Sequence, residues 1–213
     1  MQQLTGKSWK TNYGAVLIAE TFAMIGFSCS MPVIPLFLGG EIGIKNEEEL
    51  KLWNGAIQSC SAVALAVFAP IWGKLADNYS RRAMLMRAMF AGSIFVSLIS
   101  FARRPWQILV LRTIQGSLTG TISAATVLTV GIVPVSSLAI ALGMLQTGIA
   151  AGNTIGPLIG GVITDFLGHR AAFLATGIFL FSAGLIVTFG VHEDKTIIST
   201  QAKTKKEKRK IFP

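Results

Sequence analysis

The sequence predicts an all-α membrane protein, a six-transmembrane-helix bundle built as 3+3 inverted repeats. Three observations carry that prediction. The chain of 213 residues is 52% hydrophobic and only 14% charged, with positive mean hydropathy, which is too apolar for an ordinary water-soluble domain. Its uncharged runs are Thr21 to Gly40, Leu52 to Gly73, Ala88 to Ala102, Thr113 to Thr164 and Ala171 to Val191, and most match the roughly 20 residues that a spanning helix needs. Finally, one loop pattern occurs twice, at turns of opposite orientation. Unsatisfied backbone groups are costly in lipid, so these runs read as helices. The alternating strands of a membrane barrel are absent from the pattern.

The first helix is predicted over 13–39. Its apolar run is too long for a cleaved signal peptide, and no small-residue cleavage site follows it. The second is predicted over 52–76 and the third over 83–102. The run from Thr113 to Thr164 holds two spans. At about 1.5 Å per residue, one continuous helix would exceed twice the roughly 30 Å hydrocarbon thickness. Pro134-Val135-Ser136-Ser137 supplies the break, giving a fourth helix over 106–132 and a fifth over 138–164. The sixth is predicted over 171–191. The expected organisation is therefore a cytoplasmic N-terminus at 1–12, the bundle at 13–191 and a basic cytoplasmic tail at 192–213.

Basic residues set the expected orientation. With the N-terminus inside, the inner segments hold Lys7, Lys10, Lys74, Arg81, Arg82 and the tail lysines, against Lys45, Lys51, Arg103, Arg104 and Arg170 outside. Both termini are then cytoplasmic in a multi-pass cell-membrane protein. Trp9, Trp53, Trp72 and Trp106 fall at predicted helix ends, where an amphipathic ring suits the headgroup layer. The excess of 19 basic over 10 acidic residues raises nucleic-acid binding, but a basic tail directly after a membrane helix is what the positive-inside rule expects, with anionic lipid contact as a by-product. Cys29 and Cys60 lie in separate spans without CxxC spacing, so neither a disulfide framework nor a metal site is implied. His169 and His192 are isolated at helix ends, and no phosphate-binding Walker loop is present. No cofactor and no enzymatic activity are expected.

The repeat emerges when two loops are aligned. Gly73-Lys74-Leu75-Ala76-Asp77-Asn78-Tyr79-Ser80-Arg81-Arg82 and Gly161-Val162-Ile163-Thr164-Asp165-Phe166-Leu167-Gly168-His169-Arg170 share Gly, Asp and the final Arg. The first joins helices 2 and 3, the second helices 5 and 6. They fall on opposite sides of the membrane, so helices 1 to 3 and 4 to 6 are expected to be inverted copies. In helix 5, Gly148, Gly152, Gly156 and Gly160 recur every fourth residue along one stripe. Lipid gives helices little hydrophobic drive to associate, so small residues that allow close backbone approach become the means of packing. Pro157 should kink this helix.

Four motifs together resemble the major facilitator superfamily, in its twelve-helix drug:proton antiporter branch of bacterial multidrug efflux type. Gly143, eight residues, Gly152, three residues, Gly156-Pro157, two residues, Gly160-Gly161 is similar to the fifth-helix antiporter motif. The Gly73 to Arg82 loop resembles the helix 2 to 3 signature, Arg112-Thr113-Ile114-Gln115-Gly116 the helix 4 motif, and Ile25-Gly26 with Pro32-Val33-Ile34-Pro35 the first-helix motif of that branch. The resemblance implies half of a major facilitator fold, with Gly73, Asp77, Arg81 and Arg82 forming a gating loop. Asn78 stands where the family usually has a basic residue and Ser80 where it has glycine, which weakens the full charge relay. The family has twelve helices and this chain supplies six.

The charges inside the spans are the candidates for chemistry. Glu20 lies about two turns into helix 1, where an ionised carboxylate facing lipid is costly. It should face a cavity, pair, or take up a proton; alternatively it reaches water or caps a neighbouring helix near the inner surface. Arg112 carries Gln115 and Thr119 on the same helix face, and the resemblance implicates it in proton transfer. An arginine holds its own proton, so it would tune a carboxylate, with Glu20 the expected partner, or serve as a hydrogen-bond hub. Arg87 is expected to snorkel to the inner face. Met24, Phe27, Gln115, Thr119, Gln146 and Asn153 are the candidate substrate-cavity residues, although a Met and Phe stripe is more often packing. Helix packing is assigned to Gly143, Gly148, Gly152, Gly156, Pro157, Gly160 and Gly161. The expected function is the N-terminal half of a proton-coupled multidrug transporter. Expected partners are the lipid bilayer, protons, a small lipophilic or cationic substrate and a second six-helix half, with no nucleic acid. The alternatives are a sugar or metabolite facilitator of the same fold, or a truncated or split gene product without activity alone.

Overall fold

A computed structural model describes the backbone of residues 6–78 and 80–192 and the side chains of 9–75 and 80–192. The basic tail over 193–213 and the Asp77 side chain lie outside the described residues. The described chain folds as α1 (Gly6–Ser30), α2 (Val33–Gly40), α3 (Glu47–Asn78), α4 (Arg81–Ile99), α5 (Pro105–Leu118), α6 (Thr121–Ile132), α7 (Val135–Leu167) and α8 (His169–Gly190). All six predicted spans are helical, but two are not continuous. The first, expected unbroken over 13–39, divides at Met31-Pro32 into α1 and α2, because Pro32 has no N–H to continue the ladder. The fourth, expected unbroken over 106–132, divides at Thr119-Gly120 into α5 and α6. Gly120 sits at φ +135°, a conformation that side-chain-bearing residues rarely adopt. Five stretches are long and apolar enough to cross a membrane: Trp9–Gly40, Glu47–Leu75, Arg81–Ile99, Val135–Leu167 and His169–Gly190. The sixth crossing is α5 with α6, of 14 and 12 residues, each too short alone.

The inverted repeat recurs in the element boundaries. The starts at Val33, Glu47 and Arg81 return at Thr121, Val135 and His169, a constant separation of 88 residues. The breaks in the first and fourth spans therefore occupy equivalent positions. Packing follows the same exchange: α1 lies between α7 and α8, α5 lies between α3 and α4, and α4 packs on α8.

The two aligned arginines make the repeat visible in atoms. Arg82, opening α4, donates from Nε to the Val187 carbonyl at 3.3 Å and from Nη2 to that of Thr188, at the end of α8. Arg170, opening α8, donates to the carbonyls of Ser100 at 2.6 Å and Ala102 at 3.5 Å, just past the end of α4. Each helix of this antiparallel pair thus has carbonyls at or just past its C-terminal end held by an arginine from the other. The same contacts put the end of α3 that carries Asp77 and the end of α7 that carries Asp165 at opposite ends of the bundle.

The core runs along α1, α2, α4 and α8, with Phe37 and Phe173 edge-to-face at 5.2 Å between centroids. Large apolar side chains such as Ile18, Leu158, Ile178 and Phe189 stand on the outside, which suits a hydrocarbon solvent.

A candidate proton site between two half-helices and its surroundings

Glu20 is fully enclosed, at 0% exposure, on the face of α1 that meets α6. Neither carboxylate oxygen has a hydrogen bond. The Thr121 hydroxyl, on the first residue of α6, interacts with it without the geometry of a formed bond. Thr121 is itself buried.

Arg112 is also buried, and its guanidinium donates to Gln115 Oε1 at 3.2 Å and Ser30 Oγ at 3.2 Å, leaving Nε without a partner. The expected Glu20–Arg112 pair does not form. Ser30 lies ten residues beyond Glu20 on α1, about 15 Å along the helix axis. Arg112 approaches from the far end of the bundle, and Glu20 sits nearer the end of the chain's N-terminus. The hub reading of Arg112 matches its contacts.

The six candidate cavity residues do not line one space. Met24 is buried against α7, its Cβ 2.6 Å from where a Cβ on Gly152 would stand, so it is a packing residue. Gln115 holds Arg112. Phe27 and Thr119 converge on Gly92, each 3.3–3.4 Å from a Cβ built there. Gln146 is exposed on α7, while Asn153 accepts from Ser28 across to α1 at 2.6 Å.

The glycine stripe makes a close interface with α1. A Cβ on Gly148 would meet Thr21 Oγ1 at 2.5 Å, one on Gly152 the Thr21 carbonyl at 2.9 Å and one on Gly156 the Ile25 carbonyl at 2.6 Å; one on Gly160 would meet the Cys29 carbonyl. α1 and α7 therefore touch backbone to backbone. Gly143 and Gly161 depart from their assigned packing role: nothing lies within 4 Å of a Cβ at either, since both point away from α1. Pro157 is exposed, and α7 continues through it as one helix.

In the expected gating loop, Gly73 is also open, Arg81 Nη1 donates to the Val127 carbonyl of α6 at 3.3 Å and presses on Gly131, and Arg82 holds the end of α8. Arg87 does not snorkel; its guanidinium stacks 3.3 Å from the Trp72 ring centroid, with Nε and Nη1 enclosed. The Trp72 indole donates to the Ser117 carbonyl at 2.5 Å. The sequence reading missed Thr121, Ser30 and this Trp72 contact. For Thr121 a signal was available: displaced by the repeat, Pro32 marks a break at Gly120.

The model of the Major Facilitator Superfamily matches residues 16–213. The chain belongs to the Major Facilitator Superfamily. It is similar to the Multidrug resistance protein MdtG of Proteus mirabilis, 41% identical over 192 residues, covering 90% of this chain and 48% of that protein. It is 36% identical to MdtG of Yersinia enterocolitica, covering 87% of this chain and 45% of the other. It is 34% identical to the Multi-drug resistance efflux pump PmrA of Streptococcus pneumoniae, covering 90% and 47%. The chain therefore spans about half the length of these curated relatives. In structure it resembles the human organic anion transporter MFSD10 (TETRAN), with a TM-score of 0.74 at 18% identity, covering 87% of this chain and 48% of that one. That likeness shows the fold, half of a major facilitator bundle. The superfamily is one of multi-pass membrane transporters, not of enzymes.

Proposed function

We propose that this chain is the N-terminal half of a proton-coupled secondary transporter that exports drugs by drug:proton antiport with alternating access. The observation that carries the reading is Glu20, a carboxyl group sealed within a span with no hydrogen bond to either oxygen. A group so placed must carry a proton or meet a cation, and alternation between those two states is what antiport requires. The names of MdtG and PmrA support drugs as the cargo. A small lipophilic or cationic compound suits a bundle whose polar groups are few. Among the five long spans α3 and α7 are the least covered, at 11% and 22% buried against 39% or more for the other three, which supports a second six-helix half packed against them. The excess of basic residues at the end of the chain's N-terminus supports a cell-membrane protein with both termini cytoplasmic.

Accumulation of a cationic dye, with and without a protonophore, tests the reading in cells carrying the chain within its transporting assembly. Export should stop with protonophore, and Glu20→Gln should remove it while the protein stays inserted. Protonophore-sensitive export that survives Glu20→Gln would overturn the assignment. Export indifferent to the protonophore would favour a facilitator of sugars or metabolites.

A further inference from the structure

The break at Thr119-Gly120 leaves two sets of backbone groups without helical partners in the middle of a membrane span. On its acceptor side the Trp72 indole donates to the Ser117 carbonyl, in the last turn of α5. On its donor side, α6 begins with Gly120 as its N-cap and no side-chain cap, and its first ladder bond runs from Ala124 N to the Gly120 carbonyl at 3.1 Å. The Ser123 hydroxyl donates to the Gly120 carbonyl and caps no N–H. The N–H groups of Thr121, Ile122 and Ser123 therefore begin a helix without a capping acceptor. Beside this turn stands the Glu20 carboxylate, fully enclosed, unpartnered and in contact with the Thr121 hydroxyl. In the repeat, the positions equivalent to Glu20 and Thr121 hold Ile108 and Val33, both buried and apolar. The fold thus builds this meeting in one repeat from a carboxylate and a hydroxyl, and fills the matching positions of the other with hydrocarbon.

We propose that the amino-terminal turn of α6, with Thr121, is the counter-charge of Glu20: it receives the carboxylate once the carboxyl O–H bond has broken and its proton has passed to water, and it parts from the protonated acid. Thr121 is then a positioning residue, and the protonation of Glu20 is expressed as docking of α6 on α1. The inference rests on the reading of Glu20 as the proton site. Oriented N–H groups at a helix start carry about half a positive charge and favour an anion most strongly where water is excluded.

The other titratable groups leave Glu20 to this turn. On α1, Lys10 and Tyr13 lie two or more turns earlier, and the Tyr13 hydroxyl is bonded to the Ala141 carbonyl; Cys29 lies more than two turns later. Neither α2 nor α6 carries a titratable residue, and α7 carries Asp165 alone, near its far end. On α8 these are His169 and Arg170, at the far end beside Glu41. On α4, which packs on α6, Arg81 reaches Val127, Arg82 the end of α8, and Arg87 stacks on Trp72.

The test is a nitroxide pair at Ile18 and Val130, exposed positions on α1 and α6, in the 213-residue chain with Cys29→Ala and Cys60→Ala, reconstituted in lipid. A short separation should dominate in alkaline buffer and a longer one in acid. Glu20→Gln should hold the longer separation at every pH. Thr121→Val should reduce the ratio of short to long at alkaline pH by about tenfold, and Thr121→Ser should restore it. A separation that ignores pH, a pH response that survives Glu20→Gln, or a Thr121→Val response equal to that of the unaltered chain would overturn the proposal. The dye assay reports separately on antiport: loss of export control with an intact, Glu20-dependent separation change would sink the transport reading and leave this one standing.

Discussion

Replacing Gly156 by alanine should loosen the bundle, while the same change at Gly143 should not. At Gly156 the added Cβ would lie 2.6 Å from both the Ile25 carbonyl oxygen and the Ser28 Cβ, whereas non-bonded carbon atoms settle at about 3.5–4.0 Å. Backbone atoms cannot swing aside, so α1 and α7 must separate by about 1 Å. A gap of that size forfeits a quarter to a half of each dispersion contact along the seam, and overpacking of this kind costs about 1–3 kcal/mol. At Gly143 nothing lies within 4 Å of the new methyl, and alanine in a helix interior is better than glycine by about 0.5–1 kcal/mol. That gain is common to both positions, so the difference between the two variants is the overpacking cost, about 1–3 kcal/mol, or roughly 2–12 °C in the midpoint of thermal unfolding for a chain of this size. Heating detergent-solubilised protein and following loss of the monodisperse peak measures it. Midpoints for the two variants within about 1 °C of each other would refute the claim that backbone contact, and not glycine content, seals α7 to α1.

Arg82→Ala and Arg170→Ala should each destabilise the α4–α8 pair by about 1.5–3 kcal/mol, since each removes charge-assisted bonds to carbonyls near a helix end; thermal melts of both variants check this. Lysine should fail to rescue either position, because one ammonium does not reproduce the planar fork that serves two acceptors. Single cysteines at Lys45 and Ser136, both exposed and at opposite ends of the bundle, should react unequally with a membrane-impermeant thiol reagent added to intact cells. Lys45→Cys should label and Ser136→Cys should not; the reverse pattern would invert the orientation.

The six spans were legible because lipid imposes one requirement, a predominantly apolar helix of sufficient length, that the long uncharged runs state directly. The break at Gly120 was not, since the run from Thr113 carries neither charge nor proline until Pro134, and single glycines spaced along an apolar helix, here Gly116, Gly120 and Gly131, are usually tolerated. The aligned Asp77 and Asp165 loops contained the missing information, because the same displacement carries Pro32 onto Gly120. At the site, the burial of Glu20 followed from its place within the first span, but the expected partnership with Arg112 ignored depth. The two helices run oppositely, and counting turns from Trp9 and from Trp106 separates the residues. Gly143 and Gly161 were grouped with the stripe by their motif, although helical rotation points them elsewhere.

The reciprocal hold of Arg82 and Arg170 has a mechanical corollary. Two antiparallel cylinders tethered to each other near both ends resist sliding and splaying, so α4 and α8 behave as one stiff strut. Bending of the bundle would then concentrate in the crossings that are already severed, at Met31-Pro32 and Thr119-Gly120, which the repeat places at equivalent positions.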